Sequence, residues 1–389
     1  MTYKIYNTVA QLPKRWNGLT NDIFLKTPFL SALENSSPSN IKTYFIGVFS
    51  GSKHSAESEI LVGIAIVQQV GLFSDDIFRR QSDSTLKEIG KRCVSLFLKG
   101  NALVIGNLMH TGSHAYWFDK GKISQTRFLE IILDATEELS KQIKAKFSQK
   151  ISIVAIKDFF ENDKIHLDAA LFRSHHFFKA RVQPNMVFDP QPNWNTTEDY
   201  VAEFNKKYRR RHRTAIKKRA AINSRELNLE AIKSLNLRIY ELYENVSDNA
   251  GVNSFKLHQQ HFYEMKLQLK DDFKIFGYFI NNELVGFYTL IINGNSLETY
   301  FLGYKASLQH KHQMYLNMLF DMVGFGIKQG TKQIVFARTA MEIKSSVGAK
   351  PKEMSIYLKH NTFLLNRIFR QIVKFMNPVR EWQERHPFS

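Results

Sequence analysis

Residues 274 to 305 read KIFGYFINNELVGFYTLIINGNSLETYFLGYK. Apolar and aromatic residues fill three runs, separated by Asn281-Asn282 and by Asn293-Gly294-Asn295. Asn and Gly accept the left-handed backbone that tight hairpins need, so the stretch predicts three antiparallel strands in succession. Then the period changes. MYLNMLFDMVGFGIKQG (314–330) reads as a helix closed by Gly330, and KQIVFART (332–339) as a further strand.

The first half repeats that order. KTYFIGVFSG (42–51), ILVGIAIVQQVGLF (60–73) and NALVIGNLM (101–109) are strand-like. RFLEIILDATEELSKQIKAK (127–146) carries a helical apolar stripe at 128, 131, 132, 135 and 139, and KISIVAIKDF (150–159) returns to strand. Two halves with one plan suggest duplication, on the order of elements rather than on any residue-level repeat. Between them QPNMVFDPQPNWNTTEDY (183–200), with three prolines, reads as a linker, and Thr196 or Thr197 as a helix cap. The expected domains are 1–190, 191–350 and a tail, 351–389, in an α+β fold of mixed, mostly antiparallel sheets flanked by helices.

The chain has 389 residues, 43% of them hydrophobic, which is enough for two ordinary cores. Its formal charge is +18, and nine Lys or Arg lie between Lys206 and Arg219 without an acid. Such a field favours phosphate-bearing partners: nucleic acid, anionic lipid, or a phosphorylated cofactor or carrier. Cys93, the one cysteine, excludes an intramolecular disulfide and a thiolate-rich metal site, and its apolar surroundings suit an inert buried thiol. MTYKIYNTVAQL lacks an apolar core of signal-peptide length, and no window reaches the roughly 18 apolar residues of a spanning helix. A soluble protein of a reducing compartment, with a membrane face, is the expectation.

The run 274–305, the helix after it and KQIVFARTAMEIKSSVGAKP (332–351) resemble the second half of the GNAT acyltransferase domains of Fem-type aminoacyltransferases. FLKTPFLSALENS (24–36), the two strands after it and LVIGN (103–107) resemble the FemAB-like group, which includes bacterial ceramide-synthase-type N-acyltransferases. The resemblance implies two GNAT-like folds in tandem and an acyl or aminoacyl group moved from an activated carrier to an amine. Acyl-CoA, acyl carrier protein and aminoacyl-tRNA all remain open as donor. No permanently bound cofactor and no metal is implied.

Such a transfer needs a donor carbonyl held beside the amine, a polarising contact on its oxygen, and a route for the ammonium proton. In a GNAT-like fold the thioester lies where two neighbouring strands splay, here ETYFLGYK and QIVFART. Glu342 and Lys344, just past the second strand, are candidate catalytic residues, with Glu342 as proton acceptor; the alternative is a surface ion pair of Glu342 with Arg338 or Lys344. Arg338 or Lys344 could hold an anionic group of the acceptor. Tyr300 and Tyr304, four apart and so in period-two register, share a face on the expected strand: one for the core, the other for the substrate, with Tyr300 taken as catalytic and Tyr304 as acceptor-binding. His310, Lys311 and His312 precede a helix expected to start near Gln313, where a phosphate could sit. The glycine-rich loop of ordinary coenzyme A binding is absent there, and an exposed basic turn is the competing reading. HKH and HTGSH (110–114) lack the spacing of a metal site.

YVAEFNKKYRRRHRTAIKKRAAI (200–222) predicts one helix with a narrow apolar stripe, and Arg209, Arg210 and Arg213 on it are donor-binding candidates. IYLKHNTFLLNRIFRQIVKFMNP (356–378) predicts a basic amphipathic helix stopped by Pro378, either interfacial or packed on the second domain. Together these favour an N-acyltransferase joining a fatty acyl thioester to a long-chain base or related amino lipid. The expected location is cytoplasmic, peripheral at the inner membrane face. A tRNA-dependent peptidoglycan ligase and a non-catalytic basic adaptor of membrane or nucleic acid are the alternatives. Residues 206–219 carry one aromatic, Tyr208, too few for base stacking, so nucleic acid enters mainly as tRNA.

Overall fold

The computed structural model describes residues 1–51, 59–72, 100–249, 255–375 and 382–388. Cys93 and Pro378 lie outside them. The chain forms two compact units: one of Met1–Val182, Gly251–His258 and Glu353–Pro378, the other of Gln183–Ala250, Gln259–Lys352 and Val379–Ser389. The segment expected as a separate tail from 351 is therefore divided, most of it completing the first unit.

In the first unit β1 (Thr2–Tyr6), β2 (Ile41–Ser50), β3 (Ile60–Leu72) and β4 (Gly100–Ile105) form an antiparallel series, with β5 (Tyr116–Phe118) also on β3. The helix Gln125–Phe147, capped by Ser124, crosses over to β6 (Ile151–Phe160), which runs parallel to β4. That helix buries Phe128, Ile131, Ile132, Ala135 and Leu139 against Tyr44, Ile46, Val48 and Val62, so the predicted stripe faces the sheet. β13 (Lys350–His360) then adds antiparallel to β6, pairing Met354 with Phe160 and His360 with Ile153. Residues 356–360 were expected to be helical; they alternate as strand instead, and only Phe363–Phe375 is helix. Lys359 accordingly leaves the amphipathic helix and lies over the Phe177 ring.

The second unit holds the meander read from 274–305. β9 (Phe273–Ile280), β10 (Glu283–Asn293) and β11 (Ser296–Tyr304) are antiparallel. Asn281 and Asn282 have φ of 48° and 63°, the two left-handed residues that a tight turn of this twist requires. The helix Met314–Lys328 crosses over to β12 (Gln333–Val335), parallel to β11. Meander, crossover helix, parallel strand: each unit has this order, as the sequence suggested. The supposed linker is only partly one. Met186–Phe188 end strand β7 (Phe178–Phe188), and Val187 and Phe188 pair with β12 despite the flanking prolines. The α+β class with two such units is thus what the chain adopts.

The core of this unit sets Met314, Met318, Leu319, Phe320 and Val323 against Met186, Phe188, Tyr200, Phe204 and Tyr208. Two short helices supply the latter rings rather than one long one. Thr197–Ala202 starts in a capping box between Thr196 and Asp199, and Lys206–Lys218 starts on Asn205, whose side chain accepts from the Tyr208 N–H. On β11, Gly303 lies against the helix Asn236–Ser247: a Cβ there would meet the Leu242 carbonyl carbon and oxygen at 2.4 Å. Backbone cannot yield as a side chain can. Gly303→Ala is expected to destabilise the protein by about 1–3 kcal/mol, read as a lower denaturant midpoint at unchanged slope.

Candidate active site

β11 and β12 stay paired for three rungs only: Ser296 with Gln333, Leu297 with Ile334, Glu298 with Val335. Beyond that only the ladder on the other edge of β12, with β7, goes on. Phe336 N–H donates to Met186 O (2.8 Å) and Met186 N–H to Ala337 O (3.1 Å), so the chain follows β7 while β11 continues to Tyr304. Ala337, Thr339 and Ala340 then take left-handed backbone (φ 58°, 66° and 48°), a conformation costly for residues with a Cβ and one that clusters at functional sites. The strands therefore part, as the resemblance implied. Among the described residues the β11 edge past Glu298 has no ladder partner on that side, which leaves backbone groups for a substrate carbonyl or amide.

Lys344 fills the turn that results. It lies on the one-turn helix Met341–Ser345, is 5% exposed, and its Nζ donates to Arg338 O (2.6 Å) and Ala337 O (3.3 Å). Burial pushes its pKa down from 10.5 to about 7. Two N–H groups satisfy the two carbonyls, and the lone pair of the neutral amine is left to accept a proton. Arg338 itself is half-buried, so its carbonyl is already committed to this arrangement.

Glu342 sits elsewhere. Its side chain is 53% exposed and is held by Arg385 Nη2 (3.3 Å) and Gln383 N–H (3.2 Å) of the C-terminal segment. The ion pair expected with Arg338 or Lys344 is therefore made with Arg385.

Tyr300 and Tyr304 do not share a setting either. One residue of β10, Thr289, stands opposite two of β11, Tyr300 and Phe301, so the alternation slips at this bulge. The Tyr300 hydroxyl lies 3.1 Å from His261 Nε2, while Tyr304 packs near Tyr315 of the crossover helix, ring centroids 6.5 Å apart. Burial raises both phenol pKa values, Tyr300's well above its usual range. His261 and Glu298 are both buried on or beside the parted strand; His261 lies outside the quoted runs, and Glu298, inside ETYFLGYK, reads only as strand. Asn185, fully buried on β7 with neither amide atom partnered among the described residues, carried no sequence signal either.

On the basic helix Lys206–Lys218, Arg209 is spent locally: its Nη2 donates to the carbonyls of Ala202 and Phe204. Arg210 and Arg213 are exposed. Among the described residues no Lys or Arg from 206 to 218 makes an ion pair; Arg219, just past the end, pairs with Asp321. The expected His310–Lys311–His312 cluster is split. His310 and Lys311 are exposed, whereas His312 is buried and donates from Nδ1 to Lys218 O (2.8 Å). Asn317 likewise donates to Ala215 O (3.0 Å). These contacts seat the turn before the crossover helix on the last turn of the basic helix, bringing His310 and Lys311 beside Lys217 and Lys218. The crossover helix starts at Met314, but its Tyr315 N–H is already bonded to Gln309 Oε1 (3.0 Å), so side chains rather than that amide face an anion here.

In the first unit the strands β4 and β6 also part after Ile105 and Ile156. There Lys157 Nζ donates to Asn107 O and His110 O, both at 2.5 Å, but Asp158 lies 3.0 Å away as counter-charge. His114 Nδ1 is 2.7 Å from Asp22, and His110 stacks on Phe24. Among the described residues no three His, Cys, Asp or Glu gather as a metal site. Among the described residues, only the second unit combines a parted edge with a buried lysine lacking a carboxylate partner.

No protein-family model matches the sequence, and no curated protein does. Among solved structures a crystal structure of FemX matches with TM-score 0.54 at 12% identity, over 96% of this chain and 100% of that one. The chain has a FemX-like fold. A tandem GNAT protein from the clavulanic acid biosynthesis pathway (TM-score 0.47, 9% identity, 92% and 98% covered) and L-PGS from Bacillus licheniformis (0.46, 8%, 90% and 95%) are more distant and carry no weight here. Within the FemX-like fold, Lys344 marks the parted strands of the second unit.

The depressed pKa of Lys344 makes a stability prediction. The unfolded lysine keeps its proton up to about 10.5 and the folded one only to about 7, so between these values the unfolded state binds more protons and stability rises with pH. The full gap corresponds to about 5 kcal/mol. Lys344→Met, which cannot titrate, removes this dependence. Denaturation at stepped pH should show wild type gaining several kcal/mol on the variant between pH 7 and 10; parallel curves would mean the lysine is solvated.

Proposed function

We propose that the chain is an N-acyltransferase that moves an acyl group from an acyl-CoA or acyl carrier protein thioester to the amine of a long-chain base or related amino lipid. Transfer is direct, at the parted strands β11 and β12. The single observation that carries the reading is Lys344, a buried amine with pKa near 7 and no acidic partner among the described residues, clamping the turn at which the chain leaves β11. The donor carbonyl lies along the free β11 edge, its oxygen facing backbone N–H groups. Lys344 accepts one proton of the incoming ammonium, the freed amine attacks the carbonyl carbon, the C–N bond forms, and the C–S bond breaks as a second nitrogen proton passes to the departing thiolate; Lys344 then returns its proton to solvent. Tyr300, oriented by His261, lines the cleft, and Tyr304 and Arg338 border the acceptor. Arg210, Arg213, Lys217, Lys218, His310 and Lys311 hold the donor's phosphates or acidic surface. The formal charge of +18 supports work at an anionic, cytoplasmic membrane face. No helix among the described residues is long and apolar enough to cross a membrane.

A second reading, a Fem-type transferase using aminoacyl-tRNA, is favoured by the FemX-like fold and the unneutralised cations of the basic helix. The donors separate the two. Purified protein with acyl thioester and a long-chain amino alcohol should give an amide by mass spectrometry without tRNA; product only with charged tRNA favours the second, and none with either a non-catalytic adaptor. Lys344→Met should lower kcat about a hundredfold or more and abolish the rise of kcat/KM through pH 7. Reversing charge at Arg210, Arg213 and Lys311 should raise the donor KM and flatten its salt dependence, with kcat nearly unchanged.

A further inference from the structure

The helix Phe363–Phe375 is fixed on one side and bare on the other. Phe369 is 2% exposed and meets Phe178 edge-on, ring centroids 5.6 Å apart. Asn366 donates to His176 O and accepts from the His360 N–H, each at 2.8 Å. These contacts fix the rotation of the helix about its axis. At roughly 100° per residue, Leu364 and Ile368 fall on the side away from Phe369, and Arg367, Arg370 and Lys374 form a ridge along one flank of that strip, with Phe363 at its head. The exposures agree: Phe363 is 70% exposed, Leu364 73% and Ile368 48%. Residues 363–375 contain no acid, and among the described residues none of the three cations makes an ion pair.

We infer that this helix is the docking surface of the protein on an anionic lipid bilayer, lying in the plane of the headgroups. A bilayer satisfies both halves of the strip at once: Phe363, Leu364 and Ile368 enter the acyl boundary, and the flanking cations reach lipid phosphates. A second copy of the chain does not, because a self-complementary contact would set the same cationic ridge against itself with no acid to answer it. Thirteen residues are too few to span, so the helix lies on the membrane. This deepens the acyl-transfer reading by naming where its amino-lipid acceptor is met.

The test uses the full chain and vesicles of phosphatidylcholine alone or mixed in equal parts with phosphatidylglycerol. Wild type should sediment with the mixed vesicles and not with phosphatidylcholine, and lose binding in about 1 M salt, where screening reaches about 3 Å. Phe363→Ser, Leu364→Ser and Ile368→Ser together should weaken binding about tenfold or more. Thermal unfolding should be unchanged, since all three side chains are exposed. Arg367→Glu with Arg370→Glu and Lys374→Glu should abolish the preference for anionic lipid. Wild type that ignores anionic vesicles, or a triple serine variant that binds as well, overturns the inference; a concentration-dependent dimer lost in that variant, without vesicle binding, assigns the strip to a second copy. Transfer between water-soluble short-chain substrates should persist in the triple serine variant. Wild type that binds vesicles but forms no amide would instead sink the catalytic reading alone.

Discussion

The early end of one of two ladders organises the second unit. β12 pairs with β11 on one edge and β7 on the other, and past Val335 the chain keeps only its bonds to β7, through Phe336, Ala337 and Met186. Had it continued beside β11, the sheet would close and no edge would remain for a ligand. Leaving β11 forces the chain through three left-handed residues, and strain of this kind persists only where neighbours over-determine it. Lys344 is the neighbour that does so, since its amine binds the carbonyls of two residues in the strained turn. The group proposed to move a proton is thus also the clamp on the turn that opens the cleft, and burial that makes it a useful base makes it an expensive clamp below neutral pH.

The basic helix solves a related problem. Its charges repel one another and find no acid to pair with among the described residues, so its attachment rests on few contacts. Tyr208 and Ala215 are its buried residues, and its last carbonyls are taken by His312 and Asn317 rather than by water. Arg219, just past the end, pairs with Asp321, which also accepts from the Tyr278 hydroxyl at 2.6 Å. Attachment through carbonyls and one terminal ion pair leaves the other cations without an acidic partner among the described residues. A surface kept in that state is one on which a phosphate or carboxylate adds attraction without first displacing an internal acid.

Local chemistry made the meander and the crossover helix legible, because turn residues and periodicity are set within a few positions. Asn281-Asn282 is the clearest case. Tertiary choices were not legible in the same way. QIVFART reads as one strand, yet its pairing with β11 ends at Val335 while its pairing with β7 goes on through Phe336 and Ala337, and nothing in the residues marks that point. IYLKH fits a helical stripe and a strand alternation equally, and pairing with β6 selects strand. The short strand β8 (Asn223–Glu226), NSRE, has no apolar alternation and exists because β9 offers it an edge. The bulge at Thr289 is likewise invisible in sequence, and it alone separates the settings of Tyr300 and Tyr304.

Glu342 and Lys344 show how such a choice reaches the chemistry. Read as extended chain beyond a strand, residues two apart point the same way, and both could enter a cleft. On a helix they stand about 200° apart, so one faces in only if the other faces out. The C-terminal segment decides which. Arg385 and Gln383 bind the Glu342 carboxylate, and the Arg385 N–H donates to Ser345 Oγ (2.9 Å). Phe388, itself 38% exposed, packs on the rings of Phe188, Trp194, Tyr200 and Phe204, which pins that segment to the rim of the core. A single turn of helix has too little hydrogen bonding to hold its own orientation. Grasped from outside by its acid, it must present its lysine inward, where solvent is excluded and the amine loses its proton near neutrality.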